Sequence, residues 1–203
     1  MKYFLHKNDL PASLKVGKSV AIDTETTGLN LVRDRLCLIQ FSTGNDEAHL
    51  IQIDPKKTKA PNFVNILKDK SILKIFHFGR FDIAVLLKYF KCEISPVYCT
   101  KIASKVARTS SDKHGLKNLV QEILSVEIPK FEQTSDWGKG KLTESQLRYA
   151  ASDVLYLHQL KQYLDTLLIR EGKMDIAQYL FTFLPKVSYL DLKGWDTNEL
   201  LSH

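Results

Sequence analysis

The sequence predicts a mixed α/β or α+β fold in which strands and helices pack as layers. Short apolar runs rich in branched residues dominate the first part of the chain, whereas apolar residues at helical spacing dominate the rest. Strands followed by helices are typical of such layered domains. The chain has 203 residues and no internal repeat. We therefore expect residues 1–203 to form a single domain.

Four strands are predicted. The first three are adjacent and are separated by turn residues, Thr27-Gly28 after the first and Gly44-Asn45 after the second. The fourth is expected to be buried because its run is short and mostly apolar. The predicted strands cover residues 20–23, 36–41, 48–53 and 72–76.

The remaining elements are predicted to be helical. Thr143 starts the longest helix, because Thr143-Glu144-Ser145-Gln146 has capping-box spacing, and Gly172 is expected to end it. Residues 128–142 contain proline and glycines and are expected to be irregular. Residues 174–203 form an apolar, aromatic helical tail, which is a candidate surface for oligomerisation. The other predicted helices cover residues 61–68, 81–90, 100–108 and 116–124.

The composition excludes several classes of protein. The three cysteines are too few and too scattered for a disulfide framework or a zinc site. No apolar stretch is long enough to span a membrane, and the charged N-terminus does not resemble a signal peptide, so we expect a cytoplasmic protein. The net charge of +6 favours a polyanionic partner such as nucleic acid.

Asp23 and Glu25 stand two residues apart at the end of the first predicted strand. Side chains at this spacing point the same way on a strand, so the two carboxylates are expected to lie side by side. Hard carboxylate oxygens are the ligands that magnesium and manganese prefer. A solvated acidic turn remains the alternative interpretation.

Two further segments carry acidic residues. Asp82 falls in the first turn of a predicted helix, where complementing the helix dipole would also explain it. His77, at the preceding strand end, is either a site residue or a polar residue at the rim of the core. Tyr149 and Asp153 are four apart, share a helix face and lie among apolar residues. A carboxylate facing a core needs a partner or a metal.

Together, the four carboxylates from three segments predict a two-metal site. Two divalent ions about 3.5–4 Å apart stabilise the attacking and leaving oxygens of a phosphodiester. Tyr149, one turn from Asp153, could hold the attacking water through its phenol oxygen. A phenol has an ordinary pKa of about 10, so it need not act as the base.

These three segments resemble the three exonuclease motifs of the DEDD superfamily, in its tyrosine-containing branch. They follow in that family's order, and the stretches 135–137 and 142–157 are similar to ribonuclease D. The resemblance covers roughly residues 20–160 and implies an RNase H-like mixed sheet flanked by helices. It further implies catalytic and metal-binding roles for Asp23, Glu25, Asp82 and Asp153, with Tyr149 orienting the water.

Other stretches narrow the resemblance to the nanoRNase C family of diribonucleases. No metal position departs from the family pattern, and Cys99 replaces an aspartate common in ribonuclease D. The chain also ends at His203 without the C-terminal helical domains of ribonuclease D, which favours the shorter family. The stretches that fit it are 33–37, 76–82, 96–104 and 190–195.

A diribonuclease must grip the 5′ end of its substrate. Arg108, Lys113 and His114 bracket a polar loop, and we expect one of them to meet the 5′-phosphate, in its own subunit or in a neighbour. Lys101 and Lys105 share a helix face with Arg108 and are either phosphate donors or a solvated basic surface.

Base contacts are expected from apolar and aromatic residues. The resemblance implies that Leu29, after the glycine turn, wedges between the last two bases, with turn packing as the alternative. His77, Phe81 and Trp137 are candidates for stacking on a base, although Phe81 also lies on an apolar helix face.

We therefore expect a two-metal 3′-5′ exoribonuclease that uses Mg²⁺ or Mn²⁺. It would hydrolyse short RNA, chiefly dinucleotides, to nucleoside 5′-monophosphates at the end of RNA degradation. The resemblance also implies a homo-oligomer, either an octamer built from dimers or a dimer. Three alternatives remain open: ribonuclease D-like trimming of longer RNA, an exonuclease that also takes DNA, and an inactive exonuclease fold or basic protein that only binds RNA.

Overall fold

The computed structural model describes residues 1–57, 59–128 and 135–202. Within these ranges, six strands form one mixed sheet in the order β1-β4-β3-β2-β5-β6. The predicted combination of a sheet with helices is confirmed. The strands are β1 (Lys2–Lys7), β2 (Ser19–Thr26), β3 (Leu36–Ser42), β4 (Glu47–Gln52), β5 (Leu73–Phe76) and β6 (Val97–Cys99).

Eight helices accompany the sheet within the described residues. Those in the first half of the chain are short, and the longest lies near the C-terminus. The helices are α1 (Pro61–Lys68), α2 (Arg80–Phe90), α3 (Thr100–Ala107), α4 (Leu116–Leu124), α5 (Glu144–Leu155), α6 (Leu157–Arg170), α7 (Met174–Leu192) and α8 (Thr197–Leu201).

The centre of the sheet is the predicted set of three adjacent strands. β2, β3 and β4 pair antiparallel to one another, and β5 joins β2 in parallel. Neither edge strand, β1 or β6, was predicted from the sequence. β1 carries lysines at both ends and pairs in parallel with β4, and β6 has only three residues.

The two faces of β2 meet different helices. Asp23 and Glu25 lie on the face that α5 covers, together with their cross-strand neighbours on β3. Thr24 points to the opposite face, where α2 packs. On that face Phe41 makes an edge contact with Phe63 of α1. α5 and α2 therefore both reach the end of β2, from opposite faces of the sheet.

The prediction of one continuous helix from Thr143 to Gly172 is wrong at Tyr156. That residue has φ −98° and ψ −5° and separates α5 from α6. The predicted capping box at Thr143 and Gln146 is confirmed, and Gly172 follows the end of α6 with a positive φ of 63°. Part of the segment predicted to be irregular, 129–134, lies outside the described residues.

The predicted C-terminal helical tail is present as α7 and α8. One side of α7 packs against α2, α3 and β6, and residues such as Phe181 and Leu184 are buried there. Most of the exposed apolar residues of α7 border this buried side, and the side opposite it is polar, with Asp175, Thr182 and Lys186. None of the described helices has the length and apolarity needed to cross a lipid bilayer. The exposed apolar residues of α7 are Ile176, Tyr179, Leu180, Phe183 and Tyr189.

Candidate active site

Three of the predicted carboxylates converge at the end of β2. Asp23 and Glu25 from β2 and Asp153 from α5 each offer an oxygen, and these oxygens all lie within 4.8 Å of one another. The alternation of β2 puts the first two on one face, and α5 crosses that face. The register of β2 against β3 shifts directly after Glu25. Such irregularities are common beside active sites.

Asp82, the fourth predicted carboxylate, borders this group from α2. Its Oδ1 accepts hydrogen bonds from the backbone N–H of Thr24 at 3.1 Å and from the Thr24 hydroxyl at 2.6 Å. The chain reaches α2 through Gly79, where an added Cβ would lie 2.5 Å from Cβ of Phe76. Only glycine allows this approach, so Gly79 sets where Asp82 enters the site.

The carboxylates lack a positive counter-charge in the part of the chain that the structure describes. Burial raises the pKa of Asp23, Glu25 and Asp153, and repulsion from Asp82 raises each of the three further. Burial also raises the pKa of Asp82. Clustered carboxylates of this kind require a cation, and an all-oxygen donor set fits Mg²⁺ or Mn²⁺.

Tyr149 lies one helical turn before Asp153, as predicted. Burial raises its pKa, and the negative charges of Asp153 and Glu25 raise it further. The phenol therefore keeps its proton at neutral pH and can donate a hydrogen bond. Its ring centroid lies 6.1 Å from that of Trp137, which is itself buried. Trp137 thus packs beside Tyr149, not in an exposed stacking position.

Gln40 is a site residue that the sequence analysis missed. It lies opposite Asp23 on β3 and donates from Nε2 to Oε1 of Glu25 at 3.4 Å. Its side chain is fully buried. One signal was available, because Gln40 interrupts an otherwise apolar strand. Thr24 was missed as well, and its role depends on Asp82, which is distant in sequence.

The segment before α2 places two aromatic residues near the site. His77 shares a 2.8 Å hydrogen bond between Nδ1 and the Thr100 hydroxyl, and burial lowers its pKa to about 3, so its ring stays neutral. Phe78 was not predicted. It has a left-handed φ of 58°, is 57% exposed, and has Nζ of Lys101 3.6 Å from its ring centre. An exposed aromatic in this strained conformation is a candidate base contact.

Leu29 projects from the loop that follows β2 and is 83% exposed. This exposure disagrees with the turn-packing alternative. Gly28 is required before it, because a Cβ there would lie 2.4 Å from Oδ2 of Asp34. Lys88 of α2 holds the loop by donating to the backbone oxygens of Leu31, Val32 and Asp34 at 2.5, 3.0 and 3.3 Å.

The remaining residues predicted to contact substrate differ in how much they are already bonded within the chain. Phe81 is half-buried and packs against the hydrophobic core, which supports its core interpretation. Arg108 forms an ion pair with Glu122 and donates to the carbonyl of Lys113 at 3.2 Å. His114 Nδ1 shares a 2.8 Å hydrogen bond with the Ser104 hydroxyl. Lys113 is exposed, and its ammonium forms no ion pair within the described residues.

Comparison with known proteins gives a consistent family. A family model described as 3′-5′ exonuclease matches residues 6–169. Ribonuclease D of Gluconacetobacter diazotrophicus is 35% identical over 157 residues, which cover 77% of this chain and 39% of that protein. The chain thus spans about two fifths of the length of the ribonuclease D proteins it matches.

Solved structures extend the comparison to the whole chain. NrnC of Brucella melitensis superposes with a TM-score of 0.95 at 52% identity, covering 100% of this chain and 98% of that one. The same protein has been solved bound to pGG, with TM-score 0.95 and 53% identity over 100% and 99% of the chains, and with bound Mg²⁺. Ribonuclease D of Escherichia coli matches with TM-score 0.74 and 30% identity, over 84% of this chain and 45% of that one. The predicted RNase H-like exonuclease fold is confirmed.

Proposed function

This chain belongs to the 3′-5′ exonuclease family, and from that premise we propose that it is a two-metal exoribonuclease acting on very short RNA, chiefly dinucleotides. The products are nucleoside 5′-monophosphates. The observation that carries the proposal is the convergence of Asp23, Glu25 and Asp153 within 4.8 Å, with Asp82 beside them. All four predicted carboxylates are present, which disfavours an inactive fold that only binds RNA.

The donor set supports divalent metal binding at this position. Asp23, Glu25, Asp82 and Asp153 supply only carboxylate oxygens, and no basic side chain among the described residues forms an ion pair with them. NrnC of Brucella melitensis, which is 52% identical in its Mg²⁺ form, has been solved with that ion. Bound ions would activate water and neutralise the charge that develops on the phosphate.

The protein's own groups would position the reactants. Hydrolysis joins the oxygen of water to the phosphorus of the phosphodiester before the 3′-terminal nucleotide. The bond from that phosphorus to the upstream 3′-oxygen breaks, and the 3′-oxygen gains a proton. The Tyr149 phenol keeps its proton because its pKa is raised, so it can donate a hydrogen bond that orients the water or a phosphate oxygen. Thr24 fixes Asp82, and Gln40 fixes Glu25.

Three features support a preference for dinucleotides. A protein of 52–53% identity that this chain covers almost end to end has been solved with pGG. Leu29 is exposed on a loop that Lys88 braces, as a wedge between two bases requires. Phe78 offers a second exposed apolar surface, two residues before α2, the helix that carries Asp82. Ribonuclease D-like trimming of longer RNA predicts instead that activity persists as the substrate lengthens.

The 5′-phosphate contact is also proposed within the loop around Lys113. Arg108 is committed to Glu122, and His114 to Ser104, so Lys113 is the cation best able to reach a ligand. Replacing Lys113 by Ala should weaken a 5′-phosphorylated dinucleotide far more than an unphosphorylated one. The same comparison with Arg108→Ala separates a phosphate contact from a structural ion pair. Equal losses on both substrates in both variants would remove the proposal.

The deciding experiment uses 5′-labelled, 5′-phosphorylated RNAs of increasing length, from the dinucleotide upward, with Mg²⁺ or Mn²⁺. The protein, a Tyr149→Phe variant and an Asp153→Asn variant are compared. Loss of the dinucleotide while longer RNAs persist, with an inactive Asp153→Asn, supports the proposal. Stepwise shortening of every length indicates a broader exonuclease. No cleavage in either metal contradicts the assignment of activity.

We further propose that residues 1–203 work as one exonuclease domain in the cytoplasm and that α7 joins copies of this chain. An exposed apolar stripe runs along α7 beside its buried side, which is typical of a surface that a partner covers. Tyr179 is 76% exposed, and Phe183 lies one turn further on the same stripe. Light scattering should give an oligomeric mass that Tyr179→Glu with Phe183→Glu reduces. A monomeric parent protein would contradict this proposal.

A further inference from the structure

A cavity lies at the same end of the sheet as the carboxylate cluster but is separate from it. Its volume is about 420 Å³, and none of the four carboxylates lines it. It opens where β1 and β4 end and β3 begins. The loop from Trp137 to Gly140 forms its remaining wall. A volume of several hundred Å³ is usual for small-molecule sites, which range over roughly 300–1,000 Å³.

The rim of this cavity is strongly basic. Lys7, Arg35, Lys57 and Lys139 line it, and Asp54 is the only acidic residue among the described lining residues. These four cations come from four separate segments. None forms an ion pair with an acidic side chain in the residues that the structure covers. Their fields therefore add within the opening and favour an anion there.

Backbone contacts hold the wall in place. Arg35 Nη2 donates to the carbonyl of Gly138 at 3.0 Å. Gln52 Nε2 donates to the carbonyls of Lys139 and Gly140 at 3.1 and 3.3 Å. The loop is thus bonded to both β3 and β4, so the cavity is preformed within the folded chain.

The floor of the cavity is apolar and contains one unmatched donor. Trp137 is 3% exposed, and its indole N–H is buried without an acceptor among the described residues. Cys37 and Ile53 are also buried there. Because this N–H has no accessible surface, a ligand in the cavity would meet apolar atoms of the floor and not this donor.

We propose that this cavity is a second nucleotide site, which binds a nucleoside 5′-monophosphate. The phosphate meets the rim lysines, and the base packs against the apolar floor formed by Cys37, Ile53 and Trp137. The choice of this ligand rests in part on the proposed function, because the reaction would release such a nucleotide nearby. The Trp137 ring packs beside that of Tyr149, so an occupant lies directly behind the proposed active site.

Fluorescence of Trp137 gives a direct test. The chain has only one other tryptophan, so Trp195→Phe leaves Trp137 as the sole reporter. Titration with GMP, guanosine or inorganic phosphate in EDTA excludes metal-dependent binding at the carboxylates. We expect saturable binding of GMP, at least tenfold weaker binding of guanosine, and no tryptophan response to phosphate alone.

Charge variants decide where the nucleotide binds. Lys57→Gln with Lys139→Gln should weaken GMP binding at least tenfold, whereas Lys15→Gln with Lys68→Gln, two exposed lysines away from the cavity, should not. Equal thermal melts of the two variants exclude a folding effect. Absence of saturable binding, equal weakening in both variants, or a strict need for Mg²⁺ would overturn the proposal. Because no turnover is measured, these outcomes are independent of whether the chain is an exonuclease.

Discussion

The end of β2 leads into two regions that satisfy their polar groups in opposite ways. In the carboxylate cluster, Asp23, Glu25 and Asp153 gather like charges that no described cation offsets. In the loop that carries Leu29, the polar groups described here form hydrogen bonds with other groups of the same chain. Asn30 Oδ1 accepts from the N–H groups of Val32 and Arg33 at 2.9 and 3.0 Å.

Lys88 supplies the positive charge that the Leu29 loop needs, just as a metal cation is expected to supply it to the carboxylate cluster. Its ammonium collects three backbone oxygens from the loop. The loop therefore exists in its working shape before any ligand arrives. The cluster, in contrast, needs bound protons or cations to relieve the repulsion among its carboxylates. The difference teaches that the loop proposed as a wedge is braced by the chain itself, whereas the proposed metal site depends on charges supplied from outside the chain.

The largest effect should come from Asp153→Asn, which removes a proposed metal ligand. We expect at least about a hundredfold loss of kcat on a 5′-phosphorylated dinucleotide, because the developing charge loses its stabilisation. The metal-free fold should be as stable as before or more so, since one repelling carboxylate is gone. Asp175→Asn, an exposed aspartate on α7, is the control. Near-normal turnover in Asp153→Asn would place the metals elsewhere.

The next effect is the pH dependence of metal-free stability. The pKa of Glu25 is raised to about 9 and that of Asp153 to about 8, so the folded state holds protons that the unfolded state has released. Their contribution is complete at acid pH and is lost as pH rises through 8 and 9. Melts in EDTA should therefore show stability falling between pH 6 and pH 9.

Magnesium should reverse that loss, and more strongly at pH 9 than at pH 6. A ligand at a hundred times its Kd stabilises the folded state by about 2.7 kcal/mol. In Asp153→Asn the pH slope and the response to magnesium should both shrink. A pH-independent melt of the metal-free protein would show that the cluster is already neutralised within the chain.

A smaller effect is expected when the preformed region is broken. Lys88→Met leaves three loop carbonyls without their donor and should cost about 2 kcal/mol of stability. Because the loop would contact substrate and not the metals, KM for the dinucleotide should rise about tenfold with little change in kcat. Lys88→Arg should bring KM part of the way back to the value of the unmodified protein. Lys68→Met, at an exposed lysine, serves as the control. A fall in kcat alone would contradict the positioning role.

The smallest effect should follow Gln40→Leu. The bond to Glu25 is long, at 3.4 Å, and the other amide atom of Gln40 is buried without a partner in the described chain. Loss of a residue that orients a metal ligand typically costs about 10–100-fold in metal affinity. For Gln40→Leu we expect an increase of about tenfold in the Mg²⁺ concentration needed for half-maximal activity. The rate at saturating Mg²⁺ should be nearly unchanged. An unchanged Mg²⁺ requirement would make Gln40 a packing residue.

The catalytic candidates could be predicted from the sequence more completely than the residues that hold them and the neighbouring loop in position. Asp23 with Glu25 follows from strand alternation, and Tyr149 with Asp153 follows from helical spacing, so local periodicity is sufficient for each pair. Lys88 was missed because its three partners lie more than fifty residues away, and nothing in its own helix marks it. The hydrogen bond from Thr24 to Asp82 was missed for the same reason, because the two residues lie 58 positions apart.

The missed edges of the sheet have a similar cause. Lys2–Lys7 has charged ends and becomes a strand only because β4 offers a parallel partner some 45 residues later. The break at Tyr156 also depends on tertiary packing, since the sequence continues with residues that suit a helix. Local propensity cannot override contacts of this range.

The scattered origin of the carboxylates has a consequence for folding kinetics. Asp23 and Glu25 lie in an antiparallel meander of neighbouring strands, which can form from local contacts, whereas Asp153 arrives only when α5 docks from more than a hundred residues away. The repulsion among them therefore develops late. A cation bound there should leave the rate of folding nearly unchanged and slow the rate of unfolding. Magnesium would then lengthen the lifetime of the native protein.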